Sequence, residues 1–129
     1  MSTLPVVKLR PPEKMRIERD VKAEVKKIFA AYRVYLFAAH GQKIFELWPV
    51  SNGMGKHGVP DANVCFLGSW LSIETKYGDA KPTDRQRACL QEIRDSGGVA
   101  LVINETNLNE LTLVCEYIYG LYLRKIQSL

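Results

Sequence analysis

The sequence predicts a single α/β domain in which a small mixed sheet of about four strands is flanked by helices in the order α-β-β-β-α-β-α. Three observations carry this reading. Apolar residues recur at helical spacing near both ends of the chain, three β-rich runs follow one another between them, and a short run suited to a buried strand separates the last two helical stretches. The length of 129 residues suits one domain with its own core, and 47% hydrophobic with 25% charged residues excludes collagen-like, coiled-coil and wholly disordered chains.

Residues 1–12, with Pro5, Pro11 and Pro12, are expected to form an extended arm that ends where Pro12 sits in a helix's first turn, leaving 13–129 as the domain. Ile17, Val21, Val25, Ile28, Phe29 and Tyr32 fall within an arc of roughly 120°, which predicts an amphipathic helix from 13 to about 36. Glu18 lies inside that arc. A carboxylate on a core-facing side needs a partner, either Lys14 one turn back or a metal ion. Lys43–Val50 reads as a strand and SNGMGKHG as a loop. Two apolar runs, Ala62–Leu67 and Trp70–Lys76, flank Gly68-Ser69, which can serve as a two-residue hairpin turn. Thr83 and Gln86 have the spacing of a capping box, and Gly97-Gly98 ends the helix they start. Val99–Ile103 suits a buried strand. Asn107 and Glu110 begin a last capped helix, with Leu108, Leu111, Leu113, Val114, Ile118 and Leu121 as its apolar positions.

The net charge of +4 is unevenly spread: residues 1–35 hold nine basic and four acidic side chains, while the remainder is close to neutral. A basic first third is compatible with a polyanion such as nucleic acid. The longest uncharged stretch, Ala62–Ile73, has 12 residues, short of the roughly 20 that span a bilayer, so no membrane segment is expected. MSTLPVVKLRPPEK lacks the apolar core of a secretory leader, and a cytoplasmic address is the expectation. Cys65, Cys89 and Cys115, odd in number and widely spaced, are expected to be buried free thiols. His40 is assigned a structural role.

If the hairpin turn is Gly68-Ser69, Leu67 faces Trp70, Cys65 faces Ser72, Asn63 faces Glu74 and Asp61 faces Lys76. One face then carries Ala62, Val64, Phe66, Leu71, Ile73 and Thr75. The other carries Asp61, Asn63, Cys65, Leu67, Trp70, Ser72, Glu74 and Lys76, so its polar end gathers two carboxylates and an amine. Diagonal neighbours about 7–8 Å apart at Cα are close enough for Asp61 and Glu74 to share a metal ion. Phosphodiester hydrolysis uses such a set, since carboxylates hold Mg²⁺ and an ammonium orients water or stabilises the transition state. The alternative is a surface Asp-Lys cross-strand pair, worth about 0.2–1 kcal/mol.

GVPD (Gly58–Asp61), IETK (Ile73–Lys76), KPTDRQ (Lys81–Gln86), a helix ending in GG and the strand ALVINE (Ala100–Glu105) form an ordered set. Together with WPVSNGMGKHG and IERDVKAEVKK upstream, this set resembles the VRR-NUC branch of the PD-(D/E)xK nuclease superfamily. The likeness is strongest to small stand-alone bacteriophage versions and covers roughly residues 16–112. RVYLFAAHGQ departs from it, being longer or more apolar than in the family. The resemblance implies a restriction-endonuclease-like core and a Mg²⁺-dependent DNA endonuclease, with Mn²⁺ as a substitute. By the same resemblance Glu18, Asp61 and Glu74 are metal ligands, and Thr75 offers its backbone carbonyl. Lys76 is the lysine of the ExK motif and Gln86 the family's glutamine. Glu24 is the alternative carboxylate on the first helix. Gln86 equally suits the capping box with Thr83.

The family further implies branched DNA such as four-way junctions, cut by a homodimer in a bacterial or phage-infected cytoplasm. Lys56 and His57 of the glycine-rich loop, with Lys81 and Arg85, are the expected DNA contacts. Tyr117, Tyr119 and Tyr122 suit either a dimer contact or packing against the sheet. Gly53-Met54-Gly55-Lys56-His57-Gly58 matches GxGxxG, but Val59-Pro60-Asp61 and a β-rich run follow where a dinucleotide fingerprint needs a helix. The reading of another class is a non-catalytic DNA-binding or assembly module on the same fold.

Overall fold

A computed structural model describes residues 3–50 and 58–129; Lys56 and His57 lie outside the described residues. Proline and a local carboxylate set the start. Pro12–Lys14 form a single 3-10 turn, and the first helix, α1 (Glu18–His40), begins where Asp20 accepts hydrogen bonds from the backbone N–H groups of Arg16 (2.7 Å) and Ile17 (3.2 Å). This differs from the expected 13–36 at both ends. Ile17 is the capping residue and 47% exposed, not part of the apolar stripe. Beyond Tyr32 the helix continues through RVYLFAAH and stops at Gly41, whose φ of +66° closes it with an N–H to Phe37 carbonyl bond of 2.9 Å.

The sheet is mixed and four-stranded, in the order β1-β2-β3-β4, with β1 (Phe45–Leu47), β2 (Ala62–Phe66) and β3 (Ser69–Thr75) antiparallel and β4 (Val99–Ile103) parallel to β3. β1 is three residues against the eight expected, and Pro49, which has no N–H to give a ladder, follows closely. α2 (Asp84–Asp95) precedes β4 and α3 (Leu108–Gln127) follows it.

The hairpin register is two residues away from the expected one. Ala62 faces Ile73, Asn63 faces Ser72, Cys65 faces Trp70 and Phe66 faces Ser69. The turn residues are therefore Leu67 and Gly68, with φ of +51° and +83°, the two positive values of a type I′ turn that matches strand twist. Leu67 takes a conformation that disfavours a side chain, which is why Gly68-Ser69 looked the better turn. A two-residue shift leaves each side chain on its own face. Ala62, Val64, Phe66, Leu71, Ile73 and Thr75 are all fully buried as expected.

That face packs on α1 and α3. Phe66 meets Phe29 and Tyr32 at ring-centroid distances of 6.4 and 6.1 Å, joining helix to strand within one apolar cluster. In α3, Leu108, Leu111, Cys115, Ile118 and Tyr119 turn inward, whereas Leu113 (64% exposed) and Leu121 face out, contrary to expectation. Asn107 stands at the N-cap of α3 as expected but makes no side-chain cap bond: its Oδ1 accepts from Asn104 N–H, back toward the strand. Tyr119 is buried in the shared core, bonds His40 Nε2 of α1 at 2.7 Å and stacks with Tyr122, while Tyr117 is exposed. Cys89 and Cys115 are buried free thiols, but Cys65 is exposed on the opposite face of β2.

The arm is held down. Leu4 is buried and its N–H donates to Glu116 at 2.9 Å, and Arg10 N–H donates to Glu24 at 2.6 Å. Among the described residues, no helix is long and apolar enough to cross a membrane.

Candidate functional site

The outer face of the sheet, opposite the main core, is covered near β3 and β4 by α2. Asp61 immediately precedes β2 and Glu74 is the penultimate residue of β3, so the observed register sets them across from one another, one step past the last paired residues. This corrects the expected diagonal arrangement and the pairing of Asp61 with Lys76. Lys76 follows β3, is partly buried, and its backbone N–H extends the parallel ladder by a 2.9 Å bond to Ile103.

Asp61 is oriented by Thr75. Its Oδ2 accepts from the Thr75 backbone N–H at 2.8 Å and from the Thr75 hydroxyl at 2.7 Å. Burial pushes the Asp61 carboxyl up, but these bonds, with the neighbouring Glu74 and Lys22, outweigh it and hold Asp61 below its ordinary value. Glu74 is 2% exposed. Burial, then the Asp61 carboxylate as acceptor and like charge, push its carboxyl up to about 8, against a smaller pull from Lys76. The two acids are thus driven apart in acidity by unequal surroundings.

Gln86 completes the capping box and also contacts Glu74. Its Oε1 accepts from Thr83 N–H at 2.8 Å while its own N–H donates to Thr83 Oγ1 at 3.2 Å, completing the capping box. Its Nε2 reaches Glu74 Oε1 at 3.3 Å. One side chain therefore ties the start of α2 to the acid of β3.

Glu18 is not core-facing and does not pair with Lys14. As the first residue of α1 its side chain is 40% exposed, and it meets Lys22, one turn on, at 3.5 Å. The buried carboxylate of α1 is Glu24, which accepts from Arg10 N–H and from Lys27 Nζ at 2.7 Å, the latter also its ion pair, and so anchors the arm. Glu24 lies just off the apolar arc, is 1% exposed, and is bonded by the arm through Arg10 N–H. Lys81 and Arg85 are exposed at the entry to α2, and Gly58 lies just before the site.

Three contributors went unread in the sequence. Lys22 pairs with both Glu18 and Asp61, and its four-residue spacing from Glu18 was the available signal. Gly58 has φ of +80° and a Cβ there would stand 2.6 Å from the Arg85 carbonyl oxygen, so only glycine admits this approach beside Gln86. Glu105 accepts Gly78 N–H through both oxygens, at 2.8 and 3.0 Å, pinning the loop after Lys76 to the end of β4.

Among the described residues, no three His, Cys, Asp or Glu side chains converge on one metal position. Two do face each other, and Mg²⁺ is commonly held by one or two carboxylates, several waters and a substrate phosphate. Glu74 Oε2 is buried without a hydrogen-bond partner, an arrangement that costs about 1–3 kcal/mol. A divalent cation shared with Asp61 satisfies that oxygen, as does a proton. The donor set therefore fits a hard divalent ion. No protein-family model matches the chain, and comparison with curated proteins finds no match.

Proposed function

We propose that the chain is a metal-dependent DNA endonuclease of the PD-(D/E)xK type, acting on branched DNA as a homodimer with two sites. The observation that carries the reading is the buried Glu74 carboxyl, one oxygen of it unpartnered, facing Asp61 beside Lys76. Asp61, Glu74 and the Thr75 carbonyl are the groups to hold Mg²⁺, with Glu18 at the rim. When bound, Mg²⁺ lowers the pKa of a water and neutralises charge developing on the phosphate.

The remaining roles belong to the chain itself. Thr75 aims Asp61, Gln86 fixes Glu74, and Lys76 orients the attacking water or stabilises the anionic transition state. The cations of residues 1–35, with Lys81 and Arg85, favour approach of a polyanion.

The test is incubation of the protein with labelled four-way junction, flap, nicked and linear duplex DNA, in Mg²⁺ or in EDTA. Cleavage in Mg²⁺ only, strongest on branched DNA, is expected. Binding without cleavage in both Mg²⁺ and Mn²⁺ would favour a non-catalytic DNA-binding module.

A further inference from the structure

Among the described residues, Lys22 of α1 pairs with two acids, Glu18 on its own helix and Asp61 just before β2. Its Nζ lies 3.5 Å from Glu18 Oε2 and 3.6 Å from Asp61 Oδ1. The Thr75 bonds both fall on Asp61 Oδ2, so Oδ1 is the oxygen left to face the ammonium. Separations of 3.5–3.6 Å exceed the roughly 2.7–2.9 Å of a charge-assisted hydrogen bond, so Lys22 is attracted to the acids without being locked to them. Its side chain is 34% exposed and can retreat into water along its four-carbon stem.

We propose that Lys22 is a built-in competitor for the divalent cation: its ammonium occupies the ground between Glu18 and Asp61, and metal uptake requires it to swing out. The inference rests on the metal-site reading above and names a regulation of that same site. A Mg²⁺ ion with oxygen ligands at about 2.0–2.1 Å has twice the charge at a much shorter distance, so displacement favours the metal once it is abundant.

Mn²⁺ binding to the full chain, followed by electron paramagnetic resonance or calorimetry, tests this. Lys22→Gln and Lys22→Met are expected to bind Mn²⁺ about twofold to fivefold more tightly than the parent, the range of a partly exposed ion pair removed. Lys22→Arg keeps the charge and is expected to return affinity to within about twofold of the parent. Arg19→Gln, which removes a charge from an exposed position on the same helical turn, controls for a general field effect and is expected to change affinity less than twofold. Unchanged or weaker binding in both Lys22 variants, or an equal gain in Arg19→Gln, overturns the competitor role while leaving the metal site standing. Absence of Mn²⁺ binding in the parent and in every variant overturns the metal-site reading itself, and this inference with it.

Discussion

Asp61 binds Thr75 twice through a single oxygen, Oδ2 accepting from the backbone N–H at 2.8 Å and from the hydroxyl at 2.7 Å. The carboxylate is thereby fixed from the neighbouring strand, and its other oxygen faces Lys22 Nζ at 3.6 Å. Thr75→Val removes one bond at nearly constant volume and leaves the partly buried Asp61 Oδ2 with the Thr75 backbone N–H alone. It is expected to cost about 1–2 kcal/mol in urea unfolding and to weaken Mn²⁺ binding, while Thr75→Ser restores both. Equal stability of the valine and serine variants would show that the hydroxyl bond does nothing.

Glu74 makes stability fall with rising pH. Its carboxyl is pushed from an ordinary 4.5 up to about 8 by burial and by Asp61, so the folded chain holds a proton that the unfolded chain releases sooner. That stabilisation is full below about 4.5 and is lost as pH rises through 8. Glu74→Gln, which cannot ionise, is expected to hold its stability across this window while the parent declines relative to it. Urea unfolding at pH 5, 7 and 9 measures the difference, and parallel profiles would contradict it. Metal uptake near pH 7 is expected to release protons, seen as a calorimetric heat that depends on the buffer.

Gly58→Ala separates backbone strain from close packing. A Cβ at Gly58 meets the Arg85 carbonyl at 2.6 Å at a φ of +80°, whereas at Gly78 the φ is +63° with open space around it. Gly78→Ala is expected to cost about 1 kcal/mol from the left-handed conformation alone. Gly58→Ala is expected to cost about 2–4 kcal/mol and to disturb Gln86 as α2 shifts. Thermal unfolding of the pair decides, and equal losses would show that the contact with α2 is slack.

Gln86 allows its two roles to be divided. Glu in its place keeps an oxygen for Thr83 N–H but removes the amide donor to Glu74 and adds a like charge. Gln86→Glu is therefore expected to fold about as well as the parent yet cut DNA poorly. Gln86→Ala is expected to lose about 0.5–1 kcal/mol of helix stability as well. Full activity in Gln86→Glu would leave the cap as this residue's only task.

Much of this arrangement was legible in the sequence because period-two alternation tolerates an error of two. A turn at Gly68-Ser69 in place of the observed Leu67-Gly68 still puts Thr75 on the core face and Glu74 on the opposite one. What alternation could not supply was distance: the slip placed Lys76 opposite Asp61, where Glu74 belongs. The helix reading erred for a different reason. Periodicity counted Ile17 and Glu18 into the stripe of α1, but Asp20 caps the helix at that point and both residues lie at its exposed end. Glu24 is buried and tied to the arm by Arg10 N–H, a contact 14 residues away in sequence that helical periodicity does not report.

The most direct measurement is single-turnover cleavage of junction DNA in Mg²⁺ by Asp61→Asn and Glu74→Gln, each first shown to be folded and to bind the DNA. Each variant is expected to lose at least about 100-fold in rate, because each removes an oxygen ligand from the shared cation. Cleavage by either variant at the parent's rate would contradict the account.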